Sequence, residues 1–163
     1  MGRVFFSFED YDKTLDMEIE EAMQNPDGRI QRNAKDQLVS SAYENVYAKH
    51  DTKFEHPVYG DGRRWGVGGI LDPETYRSAR HSDTAIITKN AGKGFTLHIY
   101  ADAPWQQLFG GSPDANPDTL GEAIEKHGLY SAPARPWMEK GGDEYAKEQF
   151  GKDLVKELED AGL

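Results

Sequence analysis

Apolar residues recur along the chain in two distinct rhythms, and the change between them divides it. Over residues 10–24, Leu15, Ile19, Ala22 and Met23 fall on one face at helical spacing, and the other face is acidic. Asn25-Pro26-Asp27-Gly28 breaks that pattern. The longest periodic stretch follows at 29–49: Ile30, Ala34, Leu38, Ala42 and Val46 recur every fourth residue, with Tyr47 beside them. Small residues (Ala34, Ser41, Ala42, Ala48) dominate the stripe, which would let another element approach closely. The rhythm then shortens: Ala85-Ile86-Ile87-Thr88-Lys89-Asn90 and the run from Phe95 to Asp102 are rich in strand formers. Glycines 92 and 94 between them supply a hairpin turn.

The remaining segments are placed around these. Residues 3–8, RVFFSF, read as a short strand, loosely alternating and aromatic. Residues 51–72 carry many glycines and one proline, too many for an ordinary connection. Thr119 to His127 reads as a short helix, and a final helix begins near Met138 or Gly142 and runs to about Asp160. Its expected buried stripe is Tyr145, Phe150, Leu154 and Leu158, flanked by Val155, with Gly162 as C-terminal cap. The reading is one α+β domain over 1–163, a small antiparallel sheet packed with a long helix in the N-terminal half and a C-terminal helix. Its parts are an N-terminal strand and helix (1–25), a long helix (26–50), a glycine-rich loop (51–72), a β-hairpin (73–101), a loop with a short helix (102–137) and the final helix (138–163).

Composition narrows the chemistry. The 163 residues suit one domain, and a chain of this size buries roughly 70% of its unfolded surface. Having no cysteine, it has no disulfide, thiolate metal ligand or thiol nucleophile. No run approaches the ~18 apolar residues of a membrane span. The start MGRVFFSFEDYDK turns acidic at once, lacks a secretory h-region and makes a poor myristoylation site. Acidic residues outnumber basic ones 29 to 19, for a net charge of −10, which disfavours nucleic acid and anionic membranes and suits protein partners.

Candidate catalytic and binding motifs are weak. Gly60-Asp61-Gly62 and Gly66-Val67-Gly68-Gly69 lack the Gly-Lys-Ser/Thr ending of a phosphate loop, and Arg63, Arg64 and Trp65 interrupt them. His50, Asp51, Glu55 and His56 cluster without a helical metal-binding spacing, and His98 alternates with Leu97 and Ile99. Asp114 and Asp118 lie in a proline-rich turn without the calcium-loop pattern. No catalytic, cofactor-binding or metal residue is assigned. Arg135-Pro136-Trp137-Met138 is different: four residues awkward on a bare surface, immediately before a charged helix. Trp137 either plugs that helix into the core, the commoner fate of a large aromatic, or anchors another molecule.

Three features in fixed order carry a family resemblance. They are the alanine-rich helix 29–49; the glycine loop closing on Gly68-Gly69-Ile70-Leu71, with a hairpin that passes into Leu108-Phe109-Gly110; and Arg135-Pro136-Trp137-Met138 before the last helix. Over about residues 29 to 160 the chain resembles the tail-completion, or head–tail joining, neck proteins of long-tailed phages. Trp137 stands where that family has Phe, and Ile70 is an addition. The long 51–67 loop, the stretch from Tyr130 to Pro133 and the N-terminal strand also depart from it.

The resemblance implies a non-enzymatic virion protein that forms a ring with copies of itself and joins a head connector to tail-tube or terminator proteins. It would be made in the host cytoplasm and need neither cofactor nor nucleic acid. Arg63, Arg64, Trp65, Arg135, Pro136, Trp137 and Met138 are then the expected interface residues. The alternatives are a binding module of another assembly and a small metal-dependent hydrolase using His50, His56 or His98.

Overall fold

The computed structural model describes residues 3–42, 44–45, 60–61, 64–65, 86–99, 122, 125–127 and 136–163. Its elements are α1 (Phe8–Gln24), α2 (Arg29–Ala42), β1 (Gly60–Asp61), β2 (Arg64–Trp65), β3 (Ile86–Ala91), β4 (Gly94–Ile99), α3 (Met138–Glu144) and α4 (Phe150–Asp160). A π-helical turn, Tyr145–Gln149, joins α3 to α4, so the C-terminus is one helical rod. The architecture is α+β, with helices packed against the antiparallel pair β3–β4. No described helix is long and apolar enough to cross a membrane.

Helix α2 is the hub, packing against α1, β3, α3, the π turn and α4. The sequence pattern explains why. Ile30, Ala34, Leu38 and Ala42 are all buried, at the expected four-residue steps. Burying a side chain the size of Ile30 or Leu38 stabilises by about 1.5–3 kcal/mol. Val46 and Tyr47, the rest of the expected stripe, lie outside the described residues. At the other end of α2, Asn25 Oδ1 accepts from Asp27 N–H, and Gly28 N–H donates to Asn25 O, forming the predicted break. Arg29 N–H, an orphan donor of the first turn, donates to Glu157 Oε1 of α4 at 2.8 Å.

Strands β3 and β4 pair antiparallel from Ile86↔Ile99 to Ala91↔Gly94, around a turn in which Gly92 takes φ +57°. The hairpin is tied to the α1–α2 corner by amides. Gln31, fully buried in α2, donates to Met23 O at 2.8 Å and Asn90 Oδ1 at 2.9 Å, and Asn90 donates to Gln24 O at 2.8 Å. Gln24 in turn donates to Gly92 O. Within the segment read as a glycine loop, β1 pairs with β2 in the register Gly60↔Trp65 and Asp61↔Arg64.

Two expectations are corrected. Residues 3–8 are not a strand: 3–7 are irregular and α1 begins at Phe8. Ser7 is its N-cap, accepting from Asp10 N–H at 3.1 Å, and Glu9 and Asp10 suit the positive end of the helix dipole. Local capping chemistry outweighs the aromatic run's strand preference, since no described strand pairs with it.

The stripe of the last helix is also displaced. Tyr145 and Asp153 are buried, Phe150, Leu154 and Leu158 only partly, and Val155 is exposed. Residues eight apart in a regular α-helix point about 80° apart. The π turn adds a residue, which reduces the offset to about 20° and sets Tyr145 and Asp153 on one face. Gly162 does close the rod, at φ +88°: its N–H donates to Glu159 O and Leu163 N–H to Leu158 O, a Schellman pair.

The glycines of the rod give a paired prediction. A Cβ on Gly141 would sit 2.8 Å from Ser41 Cβ and 3.1 Å from Leu38 Cδ2, whereas one on Gly142 or Gly151 meets nothing within 4 Å. Gly142→Ala and Gly151→Ala should each raise stability by about 0.5–1 kcal/mol, through lower chain entropy in the unfolded state. Gly141→Ala should lower it by about 1–2 kcal/mol, because overpacking outweighs that gain. Urea denaturation of the three variants measures the sign of each change.

Candidate functional site

Among the described residues, the first turn of α3 gathers several hydrogen bonds from distant parts of the chain. Its N-cap, Trp137, has no side-chain acceptor to offer. Glu125, a buried helical residue, supplies one from outside. Its Oε2 accepts from Trp137 N–H at 2.5 Å and Met138 N–H at 2.7 Å, and its Oε1 accepts from Glu139 N–H at 3.0 Å. A carboxylate against a helix N-terminus meets both the unpaired donors and the positive end of the dipole. With both oxygens engaged by main-chain donors, Glu125 acts as a clamp on the helix and is not placed to serve as a general base.

Trp137 itself is 1% exposed. Its carbonyl accepts from Ser41 Oγ of α2 at 2.7 Å, and also from Gly141 N–H one turn on. Asn45 Nδ2 in turn donates to Ser41 Oγ at 3.1 Å and Ser41 O at 3.0 Å. The small stripe of α2 therefore does bring an element close: Ser41 meets Gly141, where a larger residue on either side would separate the helices. Beside this junction lies a cleft of about 470 Å³, whose described lining includes Leu38, Ile86, Leu97, Trp137 and Met138, with the polar His98 and Glu122.

Glu122 pairs with Lys126 at 2.5 Å, and that hydrogen bond holds its carboxyl below the usual range. His98 sits opposite Ile87 in the sheet, and its Nε2 lies 2.9 Å from Thr96 Oγ1. Among the described residues no three His, Asp or Glu side chains are grouped to hold a metal ion.

A second polar cluster lies where α2 meets the π turn. Asp153 is 2% exposed, and its carboxylate is fully engaged. Oδ2 accepts from Asn33 Nδ2 at 2.9 Å and lies 3.0 Å from the Tyr145 hydroxyl, and Oδ1 accepts from Gln149 Nε2 at 2.8 Å. The Tyr145 hydroxyl also lies 3.0 Å from Ile30 O. Burial, then the hydrogen bond and charge of Asp153, push the ionisation of Tyr145 well above the ordinary tyrosine range.

Of the residues expected at an interface, the structure joins Pro136, Trp137 and Met138 at this junction. Pro136 and Met138 are half-buried and Trp137 is enclosed, so Trp137 is a core residue of its own chain. Arg64 and Trp65 form β2, paired to β1 through their backbones. Arg63 and Arg135 lie outside the described residues, as do His50, His56, His81, Asp114 and Asp118. His127 is exposed in a turn. The sequence reading passed over Glu125 and Asp153, which resemble the chain's many other carboxylates until a helix end or a tyrosine is seen against them. Searches of family models, curated proteins and solved structures find no match to this chain.

The junction yields an ordered series of variants. Trp137→Ala should destabilise the isolated chain by about 3–5 kcal/mol. Glu125→Ala, which leaves one buried and two part-buried N–H groups without their acceptor, should cost about 3 kcal/mol, and Glu125→Gln, which keeps an acceptor oxygen, about 1 kcal/mol. Thermal and urea melts rank the three. A Glu125→Ala protein as stable as the parent would remove the clamp from the account.

Tyr145 sets an alkaline limit. Its ionisation is raised in the folded state, so the folded chain holds the proton that the unfolded chain releases near pH 10. That contribution is complete below pH 10 and is lost as pH climbs from there towards the raised folded value. Unfolding free energy measured from pH 9 to 11 should fall more steeply in the parent than in Tyr145→Phe, and equal slopes would rule the tyrosine out.

Proposed function

We propose that this chain is a non-enzymatic structural protein of a tailed-phage virion, a head–tail joining or tail-completion component of the neck. Its partners in that role are further copies of itself in a ring, the connector on one side and tail-tube or terminator proteins on the other. The observation that carries the reading is Arg135-Pro136-Trp137-Met138 leading into the C-terminal rod, after an alanine-rich helix and a hairpin in the order that the neck proteins have. Pro136 fixes the approach and Trp137 seats the rod on α2, so the element defines the subunit's shape. A ring subunit needs such rigidity, because small errors of angle accumulate around a closed symmetry.

The buried carboxylates fit a structural role as well. Glu125 and Asp153 are saturated with hydrogen bonds from their own chain. Acid–base catalysis instead requires a group within reach of a substrate proton.

The test is assembly. Mass photometry of the purified chain, alone and mixed with the proteins encoded beside it, should detect a closed ring or a defined complex with connector or tail-terminator proteins. A strict monomer that binds none of them would defeat the proposal.

A further inference from the structure

Helix α1 is preceded by a short arm whose large side chains face outward. Val4, Phe6 and Phe8 are 80%, 95% and 90% exposed, in a chain that buries aromatic residues such as Trp137 and Tyr145 elsewhere. The arm is held at both ends. Arg3 N–H donates to Gly162 O at 3.0 Å, the Arg3 guanidinium pairs with Glu18, and Ser7 caps α1. Phe5 turns the opposite way and packs edge-on against Tyr11, with ring centroids 5.1 Å apart. Three apolar side chains are thus displayed on alternate positions from a tethered backbone, which lowers the ordering entropy that binding would cost.

We propose that this arm is a docking surface for a different protein, one that offers apolar pockets to Phe6 and Phe8 within a rim of lysine and arginine. Area and charge select that occupant. Two exposed phenyl rings offer about 150–250 Å² each, roughly half of the ~800 Å² that each partner contributes to a standard interface. The remainder must come from what adjoins the arm. That is the first half of α1, where Glu9, Asp10, Asp12 and Asp16 are exposed and Lys13 is already bonded to Glu9.

A second copy meeting arm to arm would set these carboxylates against each other, and an anionic bilayer would repel them. Among the described residues, Lys93, Lys126, Lys147 and Lys156 are each paired with a carboxylate of the same chain, and the exposed Arg32, Lys89 and Lys152 stand on three different elements, α2, β3 and α4. The surface rests on exposure and charge alone and stands apart from the neck assignment.

The probe is an amphipathic Leu/Lys helical peptide, followed by fluorescence anisotropy with the full chain, beside a Leu/Glu peptide of equal length and a Ser/Lys peptide without apolar residues. The Leu/Lys peptide should bind at least about tenfold more tightly than either control. Phe6→Ser/Phe8→Ser should lose that advantage with an unchanged melting temperature, and Asp12→Asn/Asp16→Asn should weaken it. Equal binding of the Leu/Glu peptide, or full binding by the Phe6/Phe8 variant, would overturn the proposal. So would a fall in that variant's melting temperature, which would place the arm inside the fold. Self-association that the variant abolishes, or arm-dependent binding to phosphatidylserine vesicles, would assign the arm to another occupant. Ring formation that survives the variant leaves the neck reading intact, so the two proposals fail separately.

Discussion

A helix that starts in the interior must find acceptors for its first N–H groups, and in this chain the need is met from a distance. The rod beginning at Met138 has tryptophan at its N-cap, which contributes bulk and no acceptor. Glu125 makes the bonds that a serine or aspartate makes elsewhere. With Glu125 in place, Trp137 can be enclosed, its carbonyl can accept from Ser41, and Gly141 can come to rest on α2. Each contact presupposes the others, because the close approach at Gly141 fixes where the first turn lies and the carboxylate is useful only there.

The same device recurs at α2. Its first residue follows a glycine, and Glu157 of α4 accepts from Arg29 N–H. Both buried helix starts are closed by glutamates far away in sequence, so the helices are locked to one another through their ends as well as their faces. For a chain of net charge −10 this has a further consequence. Carboxylates set against helix dipoles and amide donors are offset by partial positive charge, which relieves the self-repulsion of an acidic protein. Asp153 follows the same logic with side-chain donors, and the π turn is what brings Tyr145 onto the same face to join it.

What was legible in the sequence was what depends on period or on single-residue geometry. The four-residue steps from Ile30 to Ala42, the strand pair around Gly92 and the cap at Gly162 all follow from local rules, and the structure has them. The π turn was not legible, because one added residue leaves no local signature yet rephases everything after it, bringing Asp153 onto the buried face of Tyr145. Glu125 was hidden for a different reason: a capping residue more than ten positions away has no spacing rule. The N-terminal aromatics misled because strand propensity describes a half-buried pleated surface, and residues 3–7 have no described strand beside them.

That last failure bears on function. Alternating large apolar residues ordinarily mark a face that is covered, and the pattern at Val4, Phe6 and Phe8 is real even though the strand is not. The fold closes without them: α1 is capped by Ser7, the corner by Asn25, and the rod by Gly162, while Phe5 packs edge-on against Tyr11. Exposed phenyl rings contribute little to the stability of the chain that carries them and make its surface prone to association. Buried carboxylates and displayed aromatics are an inversion of the usual arrangement. The first half is explained within the chain by helix ends and a tyrosine. The second half has no such explanation within the described structure, and its reason is to be sought in a molecule that the arm meets.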